Sequence, residues 1–157
     1  MRRFASRSLI AAGILGATML SAAPVFAQDV LSAEGETPDV RIEVRDLKRG
    51  DGDTVTLRLR LVNESGEVFE GSCLMREYGA NDNCGTFSGA YLLDPTNKKK
   101  YLVVRDTEGQ CVCSGVDNLE DGKKMNIWAT YPAPPADVTK LTVVVPLFEP
   151  IEGVPIN

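Results

Sequence analysis

Two stretches of the chain alternate apolar and polar residues with a period of two. Val40, Ile42 and Val44 alternate with Arg41, Glu43 and Arg45. Val55, Leu57, Leu59 and Leu61 alternate with Thr54, Thr56, Arg58 and Arg60. Such alternation belongs to strands with one face in a core and the other in water. The polar, glycine-rich Lys48-Arg49-Gly50-Asp51-Gly52-Asp53 between them predicts a reversal and an antiparallel pair, with Gly50 and Gly52 supplying positive φ. Asn63-Glu64-Ser65-Gly66 then turns the chain into a short strand around Val68 and Phe69. Gly71 to Gly89 lacks apolar periodicity and reads as a long loop that something must hold down.

Further strands are expected at Tyr91–Leu93 and Tyr101–Val104, joined by a turn at Asp94-Pro95-Thr96-Asn97. Others follow at Cys111–Cys113, at Met125–Tyr131 and along Leu141, Val143 and Val145, with Pro146, Pro150 and Pro155 limiting extension beyond. No segment carries a capped 3.6-residue apolar stripe. The expected fold is all-β, an antiparallel immunoglobulin-like β-sandwich of about seven strands over residues 39–157, with a small barrel as its competitor.

The first 27 residues have the layout of a signal peptide. Arg2, Arg3 and Arg7 precede an apolar run from Leu9 to Leu20, and Val25-Phe26-Ala27 has small residues at the cleavage positions. Cleavage after Ala27 exposes Gln28, and the alternative is an uncleaved anchor. Arg2-Arg3 lacks the surroundings of a twin-arginine signal, so export unfolded by the general route is expected. Residues 28–38, acidic with Gly and Pro, read as a flexible leader. Without its three Arg the formal net charge falls from −5 to −8 over the remaining 130 residues. That balance disfavours nucleic acid and anionic membranes as partners. The later apolar runs are strand-length, so no membrane insertion is expected after cleavage.

The chain contains no histidine, which excludes triads, Cys-His pairs and His-ligated zinc built from its own residues. Cys73, Cys84, Cys111 and Cys113 are an even set in an exported chain, hence a disulfide framework with three possible connectivities. Cys73 with Cys84 would close the irregular loop. Cys111 and Cys113 could bond each other through a local bend, or both reach across to the other two, and the local pairing is the favoured one. The sharper reading makes Cys111-Val112-Cys113 a thiol-redox or soft-metal site with Met75 or Met125. Its spacing is not Cys-x-x-Cys and no Lys or His flanks it.

Other signals yield to plainer readings. Arg49-Gly50-Asp51 matches a cell-adhesion tripeptide but sits where a turn is needed, and Asn63-Glu64-Ser65 matches a glycosylation acceptor. Neither Asp51-x-Asp53 nor Asp117–Gly122 has the third oxygen ligand of a calcium loop, and Gly85–Gly89 is not a nucleophile elbow. Lys98, Lys99 and Lys100 suit a solvated edge strand. Trp128 and Tyr131 could form a ligand platform, although core packing is expected of both.

Leu59-Arg60-Leu61-Val62-Asn63, closing the run from Val40, resembles telokin-like immunoglobulin-fold domains of bacterial exported proteins. Tyr91–Pro95, Lys99–Asp106, Cys111–Ser114, Trp128–Pro135 and Val143–Pro146 are similar to the N-terminal module of some actinobacterial OmpA-family proteins. The resemblance implies an immunoglobulin fold and an envelope location, and a Cys-x-Cys in the similar module implies local pairing of Cys111 with Cys113. The peptidoglycan-gripping C-terminal domain of those proteins has no expected counterpart here, and no functional residue transfers. The reading is therefore an exported non-enzymatic module that binds or organises an envelope or extracellular protein or polymer, without cofactors, in the periplasm or outside the cell. Its competitor is a periplasmic thiol or metal handler, with a carboxylate hydrolase behind both.

Overall fold

The computed structural model describes residues 30–77 and 84–157; the signal segment read over 1–27 lies outside them. The described residues contain eight strands and no helix: β1 (Ser32–Glu34), β2 (Val40–Arg49), β3 (Thr54–Asn63), β4 (Tyr91–Asp94), β5 (Lys99–Tyr101), β6 (Lys124–Pro132), β7 (Lys140–Val144) and β8 (Ile151–Pro155). They form two four-stranded antiparallel sheets, ordered β1-β2-β3-β6 and β5-β4-β7-β8.

The alternation read from the sequence becomes rows of inward-facing side chains crossing the first sheet. Leu59 lies opposite Val44 and Ile127, Leu57 opposite Leu47 and Ala129, and Val55 opposite Tyr131. The step from Val44 to Leu47 breaks the period of two. A bulge between Val44 and Asp46 absorbs the extra residue and returns Leu47 to the core, so β2 runs on to Arg49. Leu92, Leu141, Val143, Ile151 and Val154 bring the second sheet's inner face into the same core.

Two strands depart from the sequence reading. The flexible leader expected over 28–38 is corrected by β1, since Ser32–Glu34 pair with Arg41–Glu43, and Ala33 is buried against the core. β8 is the other: Ile151 and Val154 are buried three residues apart, opposite Val143 and Leu141. The register shift falls at Glu152-Gly153, where Gly153 has φ 69°. The bulge hides the alternation, and the flanking prolines fit because β8 is an edge strand.

Phe69 and Cys111–Cys113 make isolated bridges rather than full strands. In the β2–β3 turn, positive φ belongs to Gly52 and Asp53 and not to Gly50. β5 is an edge strand, as the lysine run suggested, and Lys100 lies 3.7 Å over the Tyr91 ring. Asp94 is buried at the preceding turn, where its carboxylate accepts the Asn97 backbone N–H (3.0 Å) and side-chain N–H (2.7 Å). Those bonds, the side-chain one foremost, hold its carboxyl below the usual range.

Tyr131 is fully buried, and its hydroxyl has no partner among the described residues. Burial pushes the phenol strongly up, so it stays neutral. Tyr131→Phe is expected to raise stability by about 1 kcal/mol, because it removes a desolvated hydroxyl while keeping the ring. Urea unfolding checks this, and a loss of stability would contradict it.

Candidate functional site

The cysteines define the first part of the site. Cys73 and Cys84 are bonded across the irregular loop, and Cys111 is bonded to Cys113. Of the connectivities left open by spacing, the structure adopts the two local pairs. Sulfur pairs of this kind persist in an oxidising, non-cytoplasmic compartment, and no described helix is long and apolar enough to cross a membrane.

Around Cys73 the loop is also anchored by apolar burial. Met75 and Phe87 are fully buried, Gly85 donates to the Ser72 carbonyl (2.6 Å), and Gly89 donates to Met75 (3.0 Å). The expectation that something must hold Gly71 to Gly89 down is met by these groups, with Arg105 bridging to Glu77 at 2.7 Å. Residues 78–83 lie outside the described ones.

Cys111 and Cys113 are half-buried against the core, while their segment covers the open edge of β6. Ser114 donates to the Trp128 carbonyl (2.8 Å) and its hydroxyl accepts the Trp128 N–H (3.0 Å). Beside them three backbone bonds close a ring: Val112 donates to Val104 (2.8 Å), Val104 to Thr130 (2.8 Å) and Thr130 to Val112 (3.0 Å). The same strip carries the other loop, since Val116 donates to Gly85 (2.8 Å) and Phe87 to Ser114 (3.1 Å). Bonded sulfurs are neither thiolate nucleophiles nor soft-metal ligands. Met75, offered as a further ligand, belongs to the core beside the Cys73 loop. Met125, the other candidate, is half-buried on β6 opposite Leu61.

The second part is the outward face of the first sheet. Strand parity puts Tyr131 inside and Trp128 outside, so the two do not form a platform, and the expectation that both are core residues holds for Tyr131 alone. Trp128 is 39% exposed. Directly across the ladder lies Arg58, which reaches Asp46 at 3.1 Å on β2. In the neighbouring rows Arg60 faces Asn126, and Thr56 faces Thr130 with their hydroxyls 3.2 Å apart. Beside Arg58 the face dips into a depression of about 330 Å³ shared with Lys48, Thr56 and the Arg49-Gly50-Asp51 turn.

The chain matches no known family profile, no curated protein and no solved structure. Function must therefore be argued from the residues themselves.

The glycosylation signal is resolved by the same fold. Asn63 is fully buried at the end of β3, and its side-chain amide donates to the carbonyls of Glu67 and Leu119, both at 2.8 Å. Its oxygen accepts the Ser65 N–H (3.1 Å) and hydroxyl (2.7 Å). An amide nitrogen so engaged is inaccessible to glycosylation in the folded chain. Asn63 is a structural knot that motif matching cannot reveal. The signal for Trp128 was available in the sequence, because it has the opposite parity to Ile127, Ala129 and Tyr131.

Proposed function

We propose that the chain is an exported, non-enzymatic, immunoglobulin-like β-sandwich module that binds or organises an envelope or extracellular partner. Signal cleavage near Ala27 would release it into the periplasm or the medium. The observation that carries this reading is the outward face of the first sheet: an exposed Trp128 among polar and charged side chains, set on the ladder of β2, β3 and β6. Recognition surfaces favour exposed Trp and Arg on such supports. Two antiparallel sheets around one core are also what the resemblance to telokin-like and OmpA-associated modules would require.

Both cystines have a structural use in this reading, one closing the Cys73 loop and the other covering the β6 edge. The thiol-handling reading lacks comparable support, because Cys111 and Cys113 are bonded and packed against the core. Intact mass of the secreted protein, alkylated without reductant and incubated with zinc, tests the choice. The expected species begins at Gln28 and carries neither alkyl label nor metal. A readily labelled pair or stoichiometric zinc would establish thiol or metal chemistry instead. Co-sedimentation with isolated cell envelopes or extracellular matrix tests the binding role, and recovery of all the protein in the supernatant would refute it.

A further inference from the structure

From the outward face of the first sheet we infer a binding surface for a carboxylate-bearing polysaccharide, with Trp128 as its stacking platform. The inference rests on the binding-module reading and names the class of partner. Trp128 is partly exposed on the outward side of the β3–β6 ladder, and the apolar C–H face of a pyranose ring packs on an aromatic surface of this kind. Around it stand groups suited to sugar oxygens: Asn126, Thr56 and Thr130 for hydroxyls, and Arg58 and Arg60 for carboxylates. A guanidinium fork matches a carboxylate with two parallel N–H donors.

Charge selects the acidic class over neutral glycans. Arg60 and Lys48 form no salt bridge among the described residues, and Arg58 has only an exposed one to Asp46. An exposed bridge of that kind exchanges readily for a ligand carboxylate. The depression beside Arg58, bordered by Lys48, gives a second uronate along the polymer a place to rest. Arg58, Arg60 and Lys48 stand together on this face although the chain as a whole is acidic, with Asp46 and Glu43 opposite the two arginines on β2 and Asp51 at the rim of the depression. Long-range repulsion from the remaining acids keeps affinity modest and opposes polyanions that lack a sugar face for the indole.

Trp128 is the only tryptophan in the chain, so its fluorescence reports this face alone. Titration of the full secreted chain with polygalacturonate or alginate should change the emission saturably, dextran should not, and rising salt should weaken the response. In affinity electrophoresis through polygalacturonate gels, Trp128→Ala should lower affinity at least tenfold. Arg58→Gln with Arg60→Gln should do the same while reducing salt sensitivity, and Trp128→Phe should retain most of the binding. Unchanged unfolding midpoints verify that the variants fold.

Silence of the indole towards both acidic polymers, or equal retention of the wild type and the Trp128→Ala and double-arginine variants, would overturn the inference. An equal response to single-stranded poly-dT would also overturn it, by showing a site for any polyanion. If Trp128→Ala still co-sediments with envelopes, the binding-module reading stands and the saccharide assignment alone fails.

Discussion

Asn63→Asp is expected to cost about 3 to 5 kcal/mol of folding stability at neutral pH. The substitution is nearly isosteric, so packing barely changes and the loss isolates hydrogen-bond chemistry. The wild-type amide donates both protons to backbone carbonyls, of Glu67 and Leu119. A carboxylate donates none, so the buried Leu119 carbonyl oxygen and the half-buried one of Glu67 would face a third oxygen that carries charge. The bonds from Ser65 to the side-chain oxygen survive, which limits the damage. Acidification adds an independent readout. Burial among carbonyls raises the new carboxyl's folded pKa, so its penalty grows as pH rises and shrinks as pH falls and one O–H donor returns. Urea unfolding at pH 7 and in mild acid measures both effects. Glu64→Gln next door, at an exposed carboxylate paired with Arg41 at 2.6 Å, should leave the unfolding midpoint nearly unchanged. A loss below about 1 kcal/mol for Asn63→Asp would show that the amide network does not hold the end of β3.

Gly89→Ala is expected to cost about 2 to 4 kcal/mol through a steric mechanism. A methyl group at Gly89 would stand 2.5 Å from the Arg76 carbonyl oxygen and 3.0 Å from that of Met75. Both are backbone atoms, so no rotamer change relieves the clash. The segment carrying Cys73 and Met75 must move away, losing the Gly89-to-Met75 hydrogen bond and part of the burial of Met75. Reductant should then open the Cys73–Cys84 pair faster than in the wild type, while the Cys111–Cys113 pair keeps its rate. Peptide mapping after timed reduction and alkylation separates the two. Gly115→Ala is the matched control, since a methyl group there meets its nearest neighbour, the Gly85 carbonyl oxygen, at an ordinary 3.5 Å. Equal stability of Gly89→Ala and wild type would mean that the two loop segments are not clamped together.

The sequence shows its strands where burial follows a simple period. β2 and β3 announce themselves because Val40, Ile42, Val55, Leu57, Leu59 and Leu61 all face one core. β8 is hidden by the residue inserted at its bulge, and β1 by its three-residue length, with only Ala33 turned inward. Local pairing of the cysteines was one option among three, and spacing could not select it, since the choice depends on how the 111–113 segment lies along β6. Asn63 was visible only as a motif match, because its partners at Glu67 and Leu119 come from a turn and a distant loop. The outward grid around Trp128 was half legible: parity separates Trp128 from Tyr131, but only the ladder register places Arg58 opposite it.

The ring of hydrogen bonds among Val104, Val112 and Thr130 has a consequence for how this molecule can come apart. Each of the three segments is donor to one neighbour and acceptor from the other, so none can peel away without breaking two bonds. The Val104 segment continues directly from β5 of the second sheet, whereas Thr130 belongs to β6 of the first. Local opening at this seam therefore releases the margins of both sheets together, joining them into one cooperative unit at the point where the Cys111–Cys113 pair closes its turn.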